Sequence, residues 1–155
     1  MNIFILDRSP EKCARYHCDK HVVKMVLESA QILCSVLYLR GEEAPYRPTH
    51  ASHPCVKWAS SSFSNFSWLV QLAIYLNEEY KFRYEKLVNH KSIEVANFCA
   101  GYRFEDIGLT PFAQCIPDRY RFRNNPVRAY RAYYKCEKHS IAAWTRRGIP
   151  SWYLQ

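Results

Sequence analysis

Glycine is scarce in this chain, which has only 4 glycines among 155 residues. The glycine-rich loops that cradle phosphates in kinases, GTPases and dinucleotide-binding proteins therefore have no counterpart here. Low-complexity tracts are also lacking, and 48% of the residues are hydrophobic, so a packed domain is expected rather than disorder. No apolar run has the length of a membrane span, and the N-terminus lacks a secretory signal pattern. We expect one domain, residues 1–155, in the cytoplasm.

Acidic residues are the minority among the charged side chains. The chain has 14 Asp and Glu against 22 Lys and Arg, which gives a formal net charge of +8. An excess of this sign favours polyanionic partners such as DNA, RNA or nucleotides, although it also serves plain solubility.

The cysteines and histidines were considered as metal ligands. The 7 cysteines are odd in number and scattered, which predicts reduced thiols rather than a disulfide framework. Two groups, His17-Cys18-x-x-His21 and His50-x-x-His53-x-Cys55, hold closely spaced ligands of the kind zinc prefers. Neither group has the spacing of a familiar zinc site, so we expect no metal and no cofactor.

The spacing of apolar residues predicts an all-α domain of about four helices with long loops. The first seven residues, MNIFILD, are typical of a short buried strand or an extended arm. The predicted helices run from Asp19 to Gly41, from about 56 to 90 with a break allowed near 60–62, from 92 to 100, and from Pro126 to Trp144. Ser9-Pro10-Glu11 is a further helix start, and it leads into the first long helix either continuously or with a kink near Asp19.

One polar stripe crosses the first long helix, which is otherwise apolar around most of its circumference. His21, Lys24, Glu28 and Gln31 are spaced +3, +4 and +3, so they share one face. Burying them without partners would cost several kcal/mol each. Either Lys24 and Glu28 form an ion pair on a solvated edge, or Glu28 faces a substrate with His21 and Lys24 tuning its charge and Gln31 beside it.

Further candidates for substrate binding lie outside this helix. Three prolines keep segment 41–56 from forming a regular helix, and this loop carries His50 and His53. On the second long helix, Arg83 is either a solvated charge, like its neighbours Glu78 and Glu79, or a residue that reaches a phosphate.

A second stripe, wholly basic, follows Pro126. Arg128, Arg131, Lys135 and Lys138 are spaced +3, +4 and +3, and like charges at these spacings destabilise an isolated helix by a few tenths of a kcal/mol. A bound polyanion would remove that cost. We therefore predict that Arg128, Arg131 and Lys135, together with Arg146, contact nucleic acid; the alternative is a solvated basic face.

A carboxylate beside basic groups on an all-α basic domain fits the chemistry of a DNA glycosylase. At these residues the chain resembles the phage-type pyrimidine-dimer DNA glycosylases. Lys20-His21 and Glu28 match the spacing of the family's His and catalytic Glu, His53 resembles a second active-site His, and the closing Pro150–Tyr153 resembles an aromatic C-terminal motif. The whole chain also resembles a group of small tailed-phage proteins that carry CDKHVVKM, a PTHxxHPC-like loop and an AYRxYY segment.

The resemblance implies a DNA-repair hydrolase, an N-glycosylase with or without lyase activity, that acts as a monomer on damaged or modified double-stranded DNA in the host cytoplasm. The family's nucleophile is the α-amine of a small second residue, exposed when Met1 is removed. Because Asn2 is usually too large for that removal, the amine here would be that of Met1 or of Lys24. Two alternatives stay open: a non-enzymatic nucleic-acid-binding phage protein, and an enzyme acting on free nucleotides.

Overall fold

The structure, a computed structural model that describes all 155 residues, contains seven α-helices and no β-strand. The helices are α1 (Pro10–Tyr16), α2 (Asp19–Leu39), α3 (Pro54–Ser60), α4 (Phe63–Tyr84), α5 (Ile93–Cys99), α6 (Pro126–Glu137) and α7 (Ser151–Leu154). Two 3₁₀ turns, Asp118–Tyr120 and His139–Ile141, flank α6. The all-α prediction is confirmed, whereas the predicted count of about four helices is wrong.

The extra helix boundaries lie where the backbone becomes extended inside an apolar pattern. His17 and Cys18 have ψ angles of 138° and 162° and separate α1 from α2. Ser62, also extended, separates α3 from α4. The last predicted helix ends at Glu137 instead of Trp144, and a separate helix, α7, forms near the C-terminus. The break at Ser62 lies where the sequence allowed one, near 60–62, and the break at His17–Cys18 lies beside the kink that it allowed near Asp19.

Three helices begin with a proline preceded by a capping side chain. Proline suits the first turn because its missing N–H has no partner there in any case. The side chain before each proline accepts a hydrogen bond from a backbone N–H of the first turn, which satisfies one of the free donors. The proline–cap pairs are Pro10 with Ser9, Pro54 with His53, and Pro126 with Asn125.

Helix α2 lies in the middle of one core of 38 buried hydrophobic residues. It packs along α4 and also contacts α3 and α5. The N-terminal arm is buried over residues 3–6 and forms neither a helix nor a strand. Phe4 of the arm stacks on His21, and Tyr134 of α6 hydrogen-bonds the same ring, so the arm and α6 cover one side of α2.

By length and composition α2 could cross a membrane, which corrects the expectation that no apolar run has that length. Of the most apolar window of this helix, 67% is buried inside the protein. A core helix of a soluble protein can have the same length and apolar character, and a helix apolar around most of its circumference is normally buried on most sides. The apolar character of α2 is therefore explained by its position in the core.

Candidate active site at Glu28

The Glu28 carboxylate lies at the edge of the core between two amines. Its side chain is 10% exposed, and its Oε1 lies 3.0 Å from the Nζ of Lys24. Oε2 accepts a 2.9 Å hydrogen bond from the backbone N–H of Asn2 and lies 3.9 Å from the α-amine of Met1. The Lys24 side chain is 64% exposed and marks the solvent side of the group. A nearly buried carboxylate is tolerated here because opposite charges and a hydrogen bond compensate it.

The ion-pair interpretation of the polar stripe is only partly realised. Lys24 and Glu28 do form the i,i+4 ion pair, but the carboxylate is not on a solvated edge. Gln31, one turn further along α2, is half-buried, and its side chain makes no hydrogen bond within the protein. The structure therefore brings Glu28, Lys24 and Met1 together, with Gln31 adjacent on the helix.

Asn2 holds the arm at this position. Its Nδ2 donates a 3.0 Å hydrogen bond to the carbonyl oxygen of Cys115, and its Oδ1 accepts one of 2.8 Å from the Tyr130 hydroxyl. The backbone N–H of Cys115 in turn donates to the Tyr130 hydroxyl at 3.0 Å. Burial raises the pKa of Tyr130 well above its ordinary value, so the phenol stays neutral and can donate. The N-terminal amine is therefore positioned by a network rather than left free.

The loop before α3 reaches the same place. Burial lowers the pKa of His53, the nearby Met1 amine and His50 lower it further, and the Glu28 carboxylate opposes the shift. His53 therefore lies within electrostatic range of Glu28. His50 is exposed, with φ at 51°, and its Nδ1 lies 2.6 Å from the Thr49 hydroxyl.

His21 occupies the core and not the site, which corrects its predicted catalytic role. Its Nδ1 lies 2.6 Å from the Tyr134 hydroxyl, and its ring stacks on Phe4 with centroids 4.4 Å apart. Burial lowers the pKa of His21 to about 3, so the ring is neutral at neutral pH. His21 packs the arm and α6 against α2, two helical turns from the carboxylate.

Arg83 is also a core residue, and its predicted contact with substrate is corrected. Its guanidinium is wholly buried and donates to Glu79 at 2.9 Å, to Asp19 at 3.1 Å, and to the carbonyl oxygens of Arg15 and His17. Glu79, expected to be a solvated helix charge, is buried as well and also accepts from Arg147. Every nitrogen of Arg83 is engaged, so none remains for a phosphate.

The predicted nucleic-acid contacts divide into two kinds. Arg128 is exposed with its guanidinium 4.2 Å from the Phe122 ring, and Lys135 is half-exposed. Arg131 instead donates a 2.9 Å hydrogen bond to the carbonyl oxygen of Leu6. Arg146 is exposed and pairs with Glu85. The basic stripe is therefore not one continuous free surface, because Arg131 secures the arm.

Several residues around Glu28 were not predicted as part of the site from the sequence. Asn2, Cys115 and Tyr130 come together across separations of 113 and 128 positions, which no local spacing reveals. Cys55 and Cys115 add two thiols to the group, with their sulfur atoms 3.4 Å apart. His53 and these two thiols are the residues of the site that could hold a metal ion.

The chemistry available at Glu28 is that of a carboxylate facing amines. A carboxylate stabilises developing positive charge, and an amine in its free-base form is a nucleophile towards an electrophilic carbon. The largest surface cleft, about 440 Å³, lies elsewhere, between Arg8, Gln114 and Arg123. Comparisons with protein-family models, with curated proteins and with solved structures give no match to this chain, so the geometry around Glu28 is the basis for a functional proposal.

Proposed function

We propose that the protein is a DNA N-glycosylase in which Glu28 stabilises positive charge on the sugar of a flipped nucleotide. The observation that carries the proposal is the position of the Glu28 carboxylate, nearly buried and within 4 Å of both the Lys24 and the Met1 amines. An ordinary surface ion pair would need neither the burial nor the second amine. The net charge of +8 supports a polyanionic substrate.

The proposed reaction follows from the groups present. As the bond between the sugar C1′ and the base breaks, the base leaves with the bonding electron pair and takes a proton from solvent. The sugar carbon becomes electron-poor beside Glu28, whose negative charge lowers the energy of that transition state. Attack on C1′ by the Met1 or Lys24 amine, after loss of a proton, gives a covalent intermediate that opens to an imine; attack by water gives base release alone.

Glu28 is proposed as the catalytic carboxylate, and Lys24 and Met1 as alternative amines. His50, His53 and Gln31 are the side chains proposed to meet the nucleotide, because His53 lies within electrostatic range of Glu28, His50 precedes it on the same loop, and Gln31 follows Glu28 on α2. Arg128 and Lys135 are proposed to contact the DNA backbone. Damaged or modified duplex DNA is the proposed substrate, since a weakened or unpaired base costs less to flip out of the stack.

The test is an incubation of the purified protein with undamaged, ultraviolet-irradiated and base-modified duplexes, with free nucleotides in parallel. Release of a base from one of the duplexes supports the proposal. Turnover of a mononucleotide without DNA would point to the nucleotide-enzyme alternative. Salt-sensitive binding with intact DNA and no released base would point to the non-enzymatic binding protein.

A further inference from the structure

We propose that His53, Cys55 and Cys115 form a binding site for one soft divalent cation, with zinc as the natural occupant. The ligand atoms of the three residues lie within 4.8 Å of one another. Imidazole and thiolate are the ligands that zinc takes in proteins, whereas magnesium and calcium take oxygen ligands. The proposal departs from the expectation of no metal that the sequence spacing gave, because Cys115 is 60 positions from its partner thiol.

The separation of the two sulfur atoms is close to the value a metal would impose. They lie 3.4 Å apart, near enough for one thiol to donate to the other. Zn–S bonds of about 2.3 Å at a tetrahedral angle place two sulfurs about 3.8 Å apart. A cation would therefore need the sulfur atoms to move apart by only a few tenths of an ångström, while replacing the thiol protons between them.

The scaffold around the thiols is already fixed. Cys55 lies in the first turn of α3, and the backbone N–H of Cys115 donates to the Tyr130 hydroxyl. Asn2 links the two sides, with its Oδ1 3.8 Å from the Cys55 sulfur and its Nδ2 bonded to the Cys115 carbonyl. Residues that hydrogen-bond the ligands of a metal commonly set the orientation of those ligands and the affinity of the site.

His53 is the ligand that changes partners. Its Nδ1 now accepts a 3.1 Å hydrogen bond from the backbone N–H of Cys55, which caps α3. A metal ion either takes the lone pair of Nδ1 or binds Nε2 and leaves the ring proton on Nδ1. In both cases Nδ1 can no longer accept a hydrogen bond, so the cap of α3 is lost when the ion binds. His53 and Cys115 are half-exposed, which leaves a path for the ion and a fourth position for water.

Binding has a fixed proton balance. Zn²⁺ forms two bonds to sulfur and one to nitrogen, both thiols lose their protons to solvent, and no oxidant or reductant takes part. The proposal does not depend on the DNA-glycosylase function, and its readouts require no DNA. Failure of one proposal is therefore distinguishable from failure of the other.

The experiment is a titration of the reduced, metal-free full chain with Zn²⁺, and separately with Co²⁺ as a spectroscopic probe. We expect one metal ion per chain and the release of the protons of both thiols when the ion binds. The Co²⁺ complex should show sulfur-to-metal charge-transfer absorption and the bands of tetrahedral Co²⁺. His53→Asn and Cys115→Ser should each weaken binding by more than about a hundredfold, beyond the usual effect of removing an outer-shell group.

The matched controls come from the same chain. Cys34 and Cys99 are a second pair of neighbouring buried thiols, but no histidine joins them in a ligand group. Cys34→Ser should leave metal binding unchanged, and so should His50→Asn. Because Cys55 is buried and its variant could misfold, His53→Asn at a half-exposed position keeps the test independent of folding.

Three results would overturn the proposal. The first is that the reduced protein retains no zinc at micromolar concentrations. The second is that zinc binds with equal affinity to the wild type, His53→Asn and Cys115→Ser, which would place the ion elsewhere. The third is that mass spectrometry shows a Cys55–Cys115 disulfide that persists under reducing conditions, since the two thiols would then not be free to bind metal.

Discussion

The backbone N–H of Asn2 donates a 2.9 Å hydrogen bond to Oε2 of Glu28, 26 positions further along the chain. This contact joins the N-terminal arm to the middle of α2 and sets the distance between the Met1 amine and the carboxylate. Disturbing the arm should therefore affect chemistry at Glu28 without touching Glu28 itself.

Replacing Tyr130 by phenylalanine tests the support of the arm. The change removes the hydroxyl that donates to Asn2 and accepts from Cys115, so we expect a loss of about 1–3 kcal/mol in stability. It should also lower kcat for base release more than it raises KM, because the amine is misplaced while DNA contacts remain. Tyr120→Phe, which removes an exposed hydroxyl bonded to Glu137, is the control. A Tyr130→Phe enzyme with the wild-type kcat would show that the network does not position the amine.

Arg83 should matter for stability. Arg83→Met leaves Glu79 and Asp19 without their buried partner and orphans two carbonyl oxygens, so unfolding free energy should fall by about 3–5 kcal/mol. Lys81→Met removes a surface pair with Glu78 and should cost no more than about 1 kcal/mol. Urea unfolding of both variants measures the difference. Equal stability of the two would contradict the assignment of Arg83 to the core.

Acid should destabilise the fold through two buried histidines. Burial lowers the pKa of His17 to about 4 and that of His21 to about 3, while the unfolded chain takes up these protons near 6.5. The unfolded state thus binds more protons below pH 6.5, and stability falls with decreasing pH by up to about 1.4 kcal/mol per unit for each histidine.

The measurement is urea unfolding between about pH 7 and about pH 5, above the range in which carboxylates dominate. His17→Gln should reduce the slope by the share of one histidine, whereas His139→Gln, at an exposed position, should leave it unchanged. A flat dependence for the wild type would mean that the two rings are not held neutral.

Two arginines of the basic stripe should behave differently. Arg128→Ala should weaken DNA binding and lower the slope of log affinity against log salt by about 1, with little change in stability. Arg131→Ala should destabilise the fold, because its guanidinium donates to the Leu6 carbonyl and approaches Asp7 at 3.4 Å. Fluorescence anisotropy at several salt concentrations, beside urea unfolding, separates the two. An unchanged salt slope for Arg128→Ala would remove it from the interface.

The sequence predicted what local spacing determines. The i,i+4 relation of Lys24 and Glu28 follows from neighbouring residues, and the structure contains the ion pair. The placement of Asn2 against Tyr130 depends on how the chain ends meet, 128 positions apart, and has no local signature.

Arg83 shows why the remaining predictions failed. A charge on a long helix normally reads as solvated, but the break between α1 and α2 leaves the carbonyl oxygens of Arg15 and His17 without helical partners. Arg83 bonds both. The need for a buried cation therefore arises at this break, and no local spacing indicates that Arg83, more than 60 positions away, meets it. The predicted catalytic role of His21 failed because Phe4 of the arm stacks on its ring and covers that part of the stripe.

The most direct measurement compares Glu28→Gln with Glu11→Gln in base release and in borohydride trapping on duplex DNA. Glu11 also forms an i,i+4 pair, with Arg15, but on the exposed surface. We predict that Glu28→Gln binds DNA and folds nearly as wild type but releases no base, while Glu11→Gln is fully active. Any trapped adduct should map to Met1 or Lys24 and be absent in Glu28→Gln. Full activity of Glu28→Gln, or no base release and no adduct from the wild type on any duplex, would contradict the account.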